Sequence, residues 1–194
     1  MRCFKSFLLC VCFLFGACTL LFSQEKYEAE SRLSERDVPE LALRFIDTLP
    51  LKKRVKWYLE EGLTQHSIEA KYLFNGQKYS VEFDTAGAIQ DVEVEIKWNE
   101  LNQATREEIT QFLSTEFSDF NIVKTQVQYV GDRSTLLSKL LNETPTAFIQ
   151  PNYELVVKCK KAKKTALFEF LFSADGKLIS RAQILLKPSA HLEY

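Results

Sequence analysis

The sequence predicts an α+β fold of two tandem units, each one helix packed on a four-stranded antiparallel sheet. Three observations carry that expectation. The same helix-opening pattern occurs twice, at Asp37-Val38-Pro39-Glu40-Leu41 and at Thr105-Arg106-Glu107-Glu108-Ile109. A turn at Gly87 followed by Ile89 recurs at Gly176 followed by Leu178. Behind each helix pattern come segments that alternate apolar and polar with a period of two, so each copy tests the reading of the other.

The chain opens on a secretory signal pattern over residues 1–23. Arg2 and Lys5 supply the positive start, an apolar run follows, and Ser23 offers a small residue at the cut before Gln24. Phe15-Gly16-Ala17-Cys18 loosely fits a lipoprotein box, yet apolar Thr19 to Phe22 stand where a polar tether belongs. The run is also short for a membrane span. The expected location is therefore periplasmic or secreted. Cys3, Cys10, Cys12 and Cys18 fall inside this segment, which leaves Cys159 with no partner for an intramolecular disulfide. Removing Arg2 and Lys5 takes the formal net charge from −1 to −3. Such a mild value argues against nucleic acid as a partner.

Residues 24–36 are charged and lack apolar periodicity, and read as a flexible leader. The first unit, 37–98, starts with a helix over 38–49. Val38, Leu41, Ala42, Phe45, Ile46 and Leu49 form its stripe, Asp37 with Glu40 makes a capping-box pattern, and Pro50 closes it. Strands are expected at 54–60, 66–74, 78–84 and 88–97, with Asn75-Gly76 and Thr85-Ala86-Gly87 as turns. The second unit, 101–187, opens with a helix that Thr105 and Glu108 cap and whose stripe is Ile109, Phe112, Leu113 and Phe117. Its strands are expected at 121–130, 153–160, 165–173 and 177–187. An insertion over 131–151, with Leu136, Leu137, Leu140 and Leu141 as a short helix, separates the first two of them. Residues 188–194 read as a tail.

Tyr79-x-Val81-x-Phe83-Asp84-x-x-Gly87-x-Ile89, echoed by Phe168-x-Phe170-x-Phe172-x-x-x-Gly176-x-Leu178, resembles the core hairpin of PepSY-type domains. Two such units in an exported chain further resemble PepSY-like proteins related in fold to β-lactamase inhibitor protein. The resemblance spans nearly all of the chain after the leader and is a signature of fold, not of catalysis. It implies a binding module that grips a partner with the concave face of its sheet. No catalytic domain follows the hairpins, so the resemblance leaves the target open.

Alternation then assigns the faces. His66, Ile68, Ala70, Tyr72, Phe74, Val92 and Val94 point at the helices, provided the fourth strand bulges near Gln90-Asp91. Glu69, Lys71, Ser80, Glu82, Glu93 and Glu95 point away. In the second unit the set pointing away is apolar with a cationic rim. The candidate partner-binding residues are Val156, Lys158, Leu167, Leu171, Ile179, Arg181 and Leu185. The plain alternative is ordinary surface, or a patch covered by 131–151. Lys158, Lys160, Lys161, Lys163 and Lys164 read as a solvated hairpin tip.

Motifs of catalysis are missing. There is no G-x-S-x-G elbow, phosphate loop or CxxC pair, and His66 and Glu69 would point to opposite faces of a strand. Cys159 reads as a small buried hydrophobe, and Asp84, Asp91 and Glu93 as turn and surface residues. The expectation is a non-enzymatic exported binding module, an inhibitor or regulator of an exported enzyme, with no cofactor and no metal. A small-ligand carrier or an envelope scaffold is the alternative.

Overall fold

A computed structural model describes residues 24–52, 54–61, 66–144 and 148–186, with only the backbone described for 24–29 and for Leu186. The expected signal segment 1–23 and tail 188–194 lie outside the described residues. The element order is β1 (Gln24–Leu33), α1 (Glu40–Asp47), β2 (Lys56–Glu61), β3 (His66–Phe74), β4 (Gln77–Asp84), β5 (Ile89–Glu95), α2 (Gln103–Glu116), β6 (Asp119–Val130), α3 (Arg133–Leu140), β7 (Asn152–Lys161), β8 (Lys164–Phe172) and β9 (Leu178–Leu186).

Two separate helix-plus-four-strand units are not what forms. All nine strands belong to one sheet in chain order. The expected boundary between units is an antiparallel seam in which β5 pairs with β6 from Asp91↔Val130 to Glu95↔Gln126. An exposed strand edge carries unpaired N–H and C=O groups, and the two edges that separate units would leave open satisfy each other here. The leader is not a flexible lead-in either. Its second half pairs antiparallel with β2, Ala29↔Glu61 to Leu33↔Trp57, and its first half parallel with β9, Gln24↔Ala182 to Glu28↔Leu186. That second pairing closes the sheet into a barrel.

Every helix has a solvent side, for instance Glu40, Leu41 and Arg44 on α1, so the helices lie outside the barrel. The apolar core fills the layer between helices and sheet in two clusters. One joins Ala42, Phe45 and Ile46 of α1 and Leu136 and Leu140 of α3 to Trp57, Ile68, Ala70, Val81, Phe83 and Val92. Phe83 meets Phe45 edge-on at 5.7 Å and Trp57 at 6.0 Å. The other joins Ile109, Leu113 and Phe117 to Leu155, Val157, Cys159, Phe170 and Phe172. Each fully buried Phe or Leu stabilises the fold by about 1.5–3 kcal/mol through removal of apolar surface from water.

The caps differ from the sequence reading. Asp37 ends a 3-10 turn over Glu35–Asp37, and α1 starts after Pro39 with no side-chain cap. Pro39 has no N–H to satisfy, which suits the start of a helix. α2 is capped by Asn102, whose side chain accepts from the Thr105 N–H at 2.9 Å. The Thr105 hydroxyl is thereby released to donate to the Ala174 carbonyl at 2.8 Å, tying the β8–β9 turn to the helix. Gly176 has φ +79, and a Cβ there would stand 2.9 Å from the Thr105 carbonyl. Gly87, φ +86, would meet the Ala42 nitrogen of α1 at 2.9 Å. In both places a left-handed turn lets a hairpin press its backbone against the first turn of a helix.

Candidate functional site

With helices outside, the other face of the sheet lines the barrel, and this inner face is where the unusual chemistry sits. The charged row read from the sequence as solvent-facing is instead shielded. Glu69, Ser80, Asp91 and Gln126 are all buried, with Asp91 8% and Gln126 3% exposed. The bulge expected near Gln90-Asp91 keeps them aligned: Glu82 pairs with Asp91, and the register then slips so that Phe83 pairs with Ile89.

Three sectors follow one another around the inner face. In the first, β1 to β4, charges are balanced. Lys71 Nζ lies 2.8 Å from Glu69 and 3.1 Å from Glu30, and stands over the Tyr58 ring at 5.1 Å, as Arg32 does at 5.3 Å. Ser80 donates to Glu69. Burial alone would raise the Glu69 pKa, but the Lys71 charge and its hydrogen bond more than offset this and hold the carboxyl below its usual range. Burial likewise works against the Lys71 charge, and Glu69 and Glu30 reverse it. Glu30, Glu60 and Glu69 bring ligand atoms within 4.8 Å of one another, a spacing a metal ion could use. The ammonium of Lys71 already sits between two of these carboxylates, so their charge is met from within the chain.

The second sector, β4 to β7, is acidic around Asp91 and Glu93. Gln126 Nε2 donates to Glu93 at 2.6 Å and Gln128 Nε2 to Asp91 at 3.1 Å. Asp91 Oδ1 and Gln126 Oε1 are buried without a hydrogen-bond partner. Burial, then the charges of Glu82, Glu154 and Glu69, push the Asp91 carboxyl up to about 8 against the Gln128 bond. Burial and Asp91 push Glu93 up to about 8 as well, with Lys124 pulling the other way. Asp84 alone of the three acids plays the expected part, accepting from the Ala86 and Ala88 N–H groups in the turn. The surface role read for Asp91 and Glu93 is overturned by closure of the sheet around them.

The third sector, β7 to β9, is apolar and holds part of the set predicted from the sequence. The register runs Glu154↔Leu171, Val156↔Glu169 and Lys158↔Leu167, which puts Val156, Lys158, Leu167 and Leu171 on the inner face. β9 is set differently from the simple alternation. Leu171 pairs with Ser180 but Phe172 with Leu178, leaving Ile179 as the extra residue of a bulge. The bulge reverses the faces beyond it. Arg181 pairs with helix-facing Phe170 and reaches Glu116 of α2 at 3.3 Å, while buried Ile184 takes the place beside Leu167. Leu185 shares the outer parity of Arg181, and Ile179 is exposed. Arg181 and Leu185 therefore leave the predicted patch and Ile184, absent from it, enters. The helix of the insertion does not cover the patch: Leu136 and Leu140 are buried in the first core, with the Arg133 guanidinium 5.4 Å from the Phe45 ring.

Cys159 is buried in the second core, and burial pushes its thiol up to about 12, so it stays protonated and inert as a nucleophile. The lysine run forms the exposed β7–β8 hairpin tip, with Ala162 at φ +56 in the turn. Among the described residues no helix is long and apolar enough to cross a membrane.

Fold and site together define a helix-clad sheet barrel with a shielded polar interior. No protein family and no curated protein matches the chain. Solved structures do. A DUF2874 family protein from Bacteroides ovatus shares 14% identity at a TM-score of 0.50, over 75% of this chain and 87% of its own. A proposed periplasmic protein from Bacteroides eggerthii shares 15% at 0.50, over 75% and 88%. These two show a common fold. A BLIP-like protein from Bacteroides fragilis aligns at 15% identity and a TM-score of 0.47, over 79% and 92%.

Proposed function

We propose that this is an exported, non-enzymatic binding protein whose binding surface is the inner face of the sheet. The observation that carries the reading is the pair of buried acceptors, Asp91 Oδ1 and Gln126 Oε1, left without partners beside an apolar strip. Unmet buried polar groups cost about 1–3 kcal/mol each, a cost that an occupant bringing donors to this face would remove. The strip is Val156, Leu167, Leu171 and Ile184, with Lys158 at its rim. Export to the periplasm or beyond is supported by the signal pattern of residues 1–23, and the resemblance of the Tyr79–Ile89 and Phe168–Leu178 patterns to PepSY-type hairpins favours a gripping role over catalysis. Within that role the chain acts as an inhibitor or regulator of an exported enzyme.

Affinity capture from envelope extract tests this, with wild type beside a Leu167→Asp/Leu171→Asp variant verified as folded. Retention by wild type and loss by the variant is expected. Equal retention by both would remove the inner face from consideration.

A further inference from the structure

We infer that the acidic sector around Asp91, Glu93 and Gln126 takes a small organic cation, an ammonium or guanidinium head carried on an apolar stem. This rests on the inner face being the binding surface and names the chemistry of its occupant.

The argument comes from setting the two charged sectors side by side. In the first, three carboxylates surround a cation that the chain itself provides: Lys71 Nζ touches both Glu69 and Glu30 and rests on the Tyr58 ring. The second sector has a comparable set of carboxyl groups on adjacent strands; Lys124 acts on Glu93 from farther off, but among the described residues no lysine ammonium comes within ion-pair distance of Asp91 or Glu93. Its glutamine amides already point at these carboxyl groups. Gln126 Nε2 goes to Glu93 and Gln128 Nε2 to Asp91, while Gln128 Oε1 accepts from Asn152 at 3.3 Å. What remains on offer is acceptor oxygen, Asp91 Oδ1 and Gln126 Oε1, in a shielded place. A group with several N–H donors and a positive charge satisfies both acceptors at once, and its charge favours release of the proton that Asp91 keeps in its absence.

Sign and spacing exclude the other occupants. At Asp91 Oδ1 and Gln126 Oε1 an anion would meet only oxygens. For a bare metal ion, the trio among the described residues with ligand atoms within 4.8 Å is Glu30, Glu60 and Glu69, not Asp91 and Glu93 with a neighbour. An ammonium or guanidinium spans a wider set of acceptors than a metal shell does. The stem follows from the register. Leu171 stands directly opposite Glu154, itself opposite Gln126, so the apolar strip begins where the orphan acceptors end.

Titration with phenethylamine, beside its uncharged counterpart 2-phenylethanol, tests the assignment. Binding is followed by calorimetry and by the side-chain amide resonances of Gln126 and Gln128. Phenethylamine is expected to saturate and to shift both amides, and 2-phenylethanol to do neither. Asp91→Asn and Glu93→Gln, each checked for a native amide spectrum, should each weaken phenethylamine about tenfold or more. Glu30→Gln, in the balanced sector, should leave its affinity unchanged. Equal binding of the alcohol, unshifted amides, or indifference to both acidic-sector variants overturns the inference. If phenethylamine fails while Leu167→Asp/Leu171→Asp still abolishes capture, the inner face stands and only the cationic occupant falls.

Discussion

Replacing Asp91 with asparagine should make the protein markedly more stable at alkaline pH and almost unchanged at acidic pH. The carboxyl has a folded pKa of about 8, against 3.8 for the unperturbed group. Burial is the largest cause, followed by Glu82, Glu154 and Glu69. Between those two values the folded chain holds a proton that the unfolded chain has released. Stability from this group is therefore present in full below about pH 4 and is lost as pH rises through about 8. One proton corresponds to about 1.4 kcal/mol per pH unit, so the window of roughly four units sets a ceiling of about 6 kcal/mol. Local relaxation around the charge reduces this to about 2–4 kcal/mol. The asparagine side chain carries no titrating proton and keeps an oxygen for the Gln128 amide. Urea denaturation of both proteins at pH 5 and pH 8.5 reads the difference directly. Glu93 titrates in the same direction, so the variant should retain a shallower decline rather than none. Equal pH slopes for the two proteins would refute the reasoning, because Asp91 would then not titrate differently on folding.

Three other outcomes follow from the packing. Gly176→Ala should cost at least about 1 kcal/mol of stability by urea unfolding, since the turn needs φ +79 and a Cβ would stand 2.9 Å from the Thr105 carbonyl; Gly87→Ala should do the same against α1. Lys71→Met should cost about 3–5 kcal/mol by leaving Glu69 buried and unpaired, and Lys71→Met/Glu69→Leu should recover most of it in a double-mutant cycle. Phe170→Ala should cost about 3–5 kcal/mol by thermal unfolding, because the ring is fully buried and contacts Phe112, Phe117, Phe168 and Phe172.

Much of the site was legible strand by strand, and the failures have one cause. Alternation correctly separates Ile68, Ala70, Val81 and Val92 from Glu69, Ser80 and Glu93, because side chains of a strand must alternate whatever the strand pairs with. The same rule misplaced Arg181 and Leu185, because the bulge at Ile179 inserts one residue and flips every later side chain. Ile179 itself carries no mark of this, since its own side chain suits either arrangement. β1 was missed because its Glu30 and Arg32 side chains are exposed and polar, so no apolar stripe develops. Its evidence as a strand is backbone pairing to β2 and β9, which composition does not record.

By itself, then, the amino-acid order determined the local grammar of this protein: which segments behind each helix pattern extend, where they turn at Gly87 and Gly176, and, short of the bulge at Ile179, which side faces apolar cover. Only the tertiary structure decided that the strands share one sheet, that the leader closes it, and that Asp91 and Glu93 end up shielded instead of in water. The reason is physical. Side-chain period is a property of neighbouring residues, whereas edge pairing and desolvation arise between segments far apart in the chain, through backbone groups that every residue carries alike.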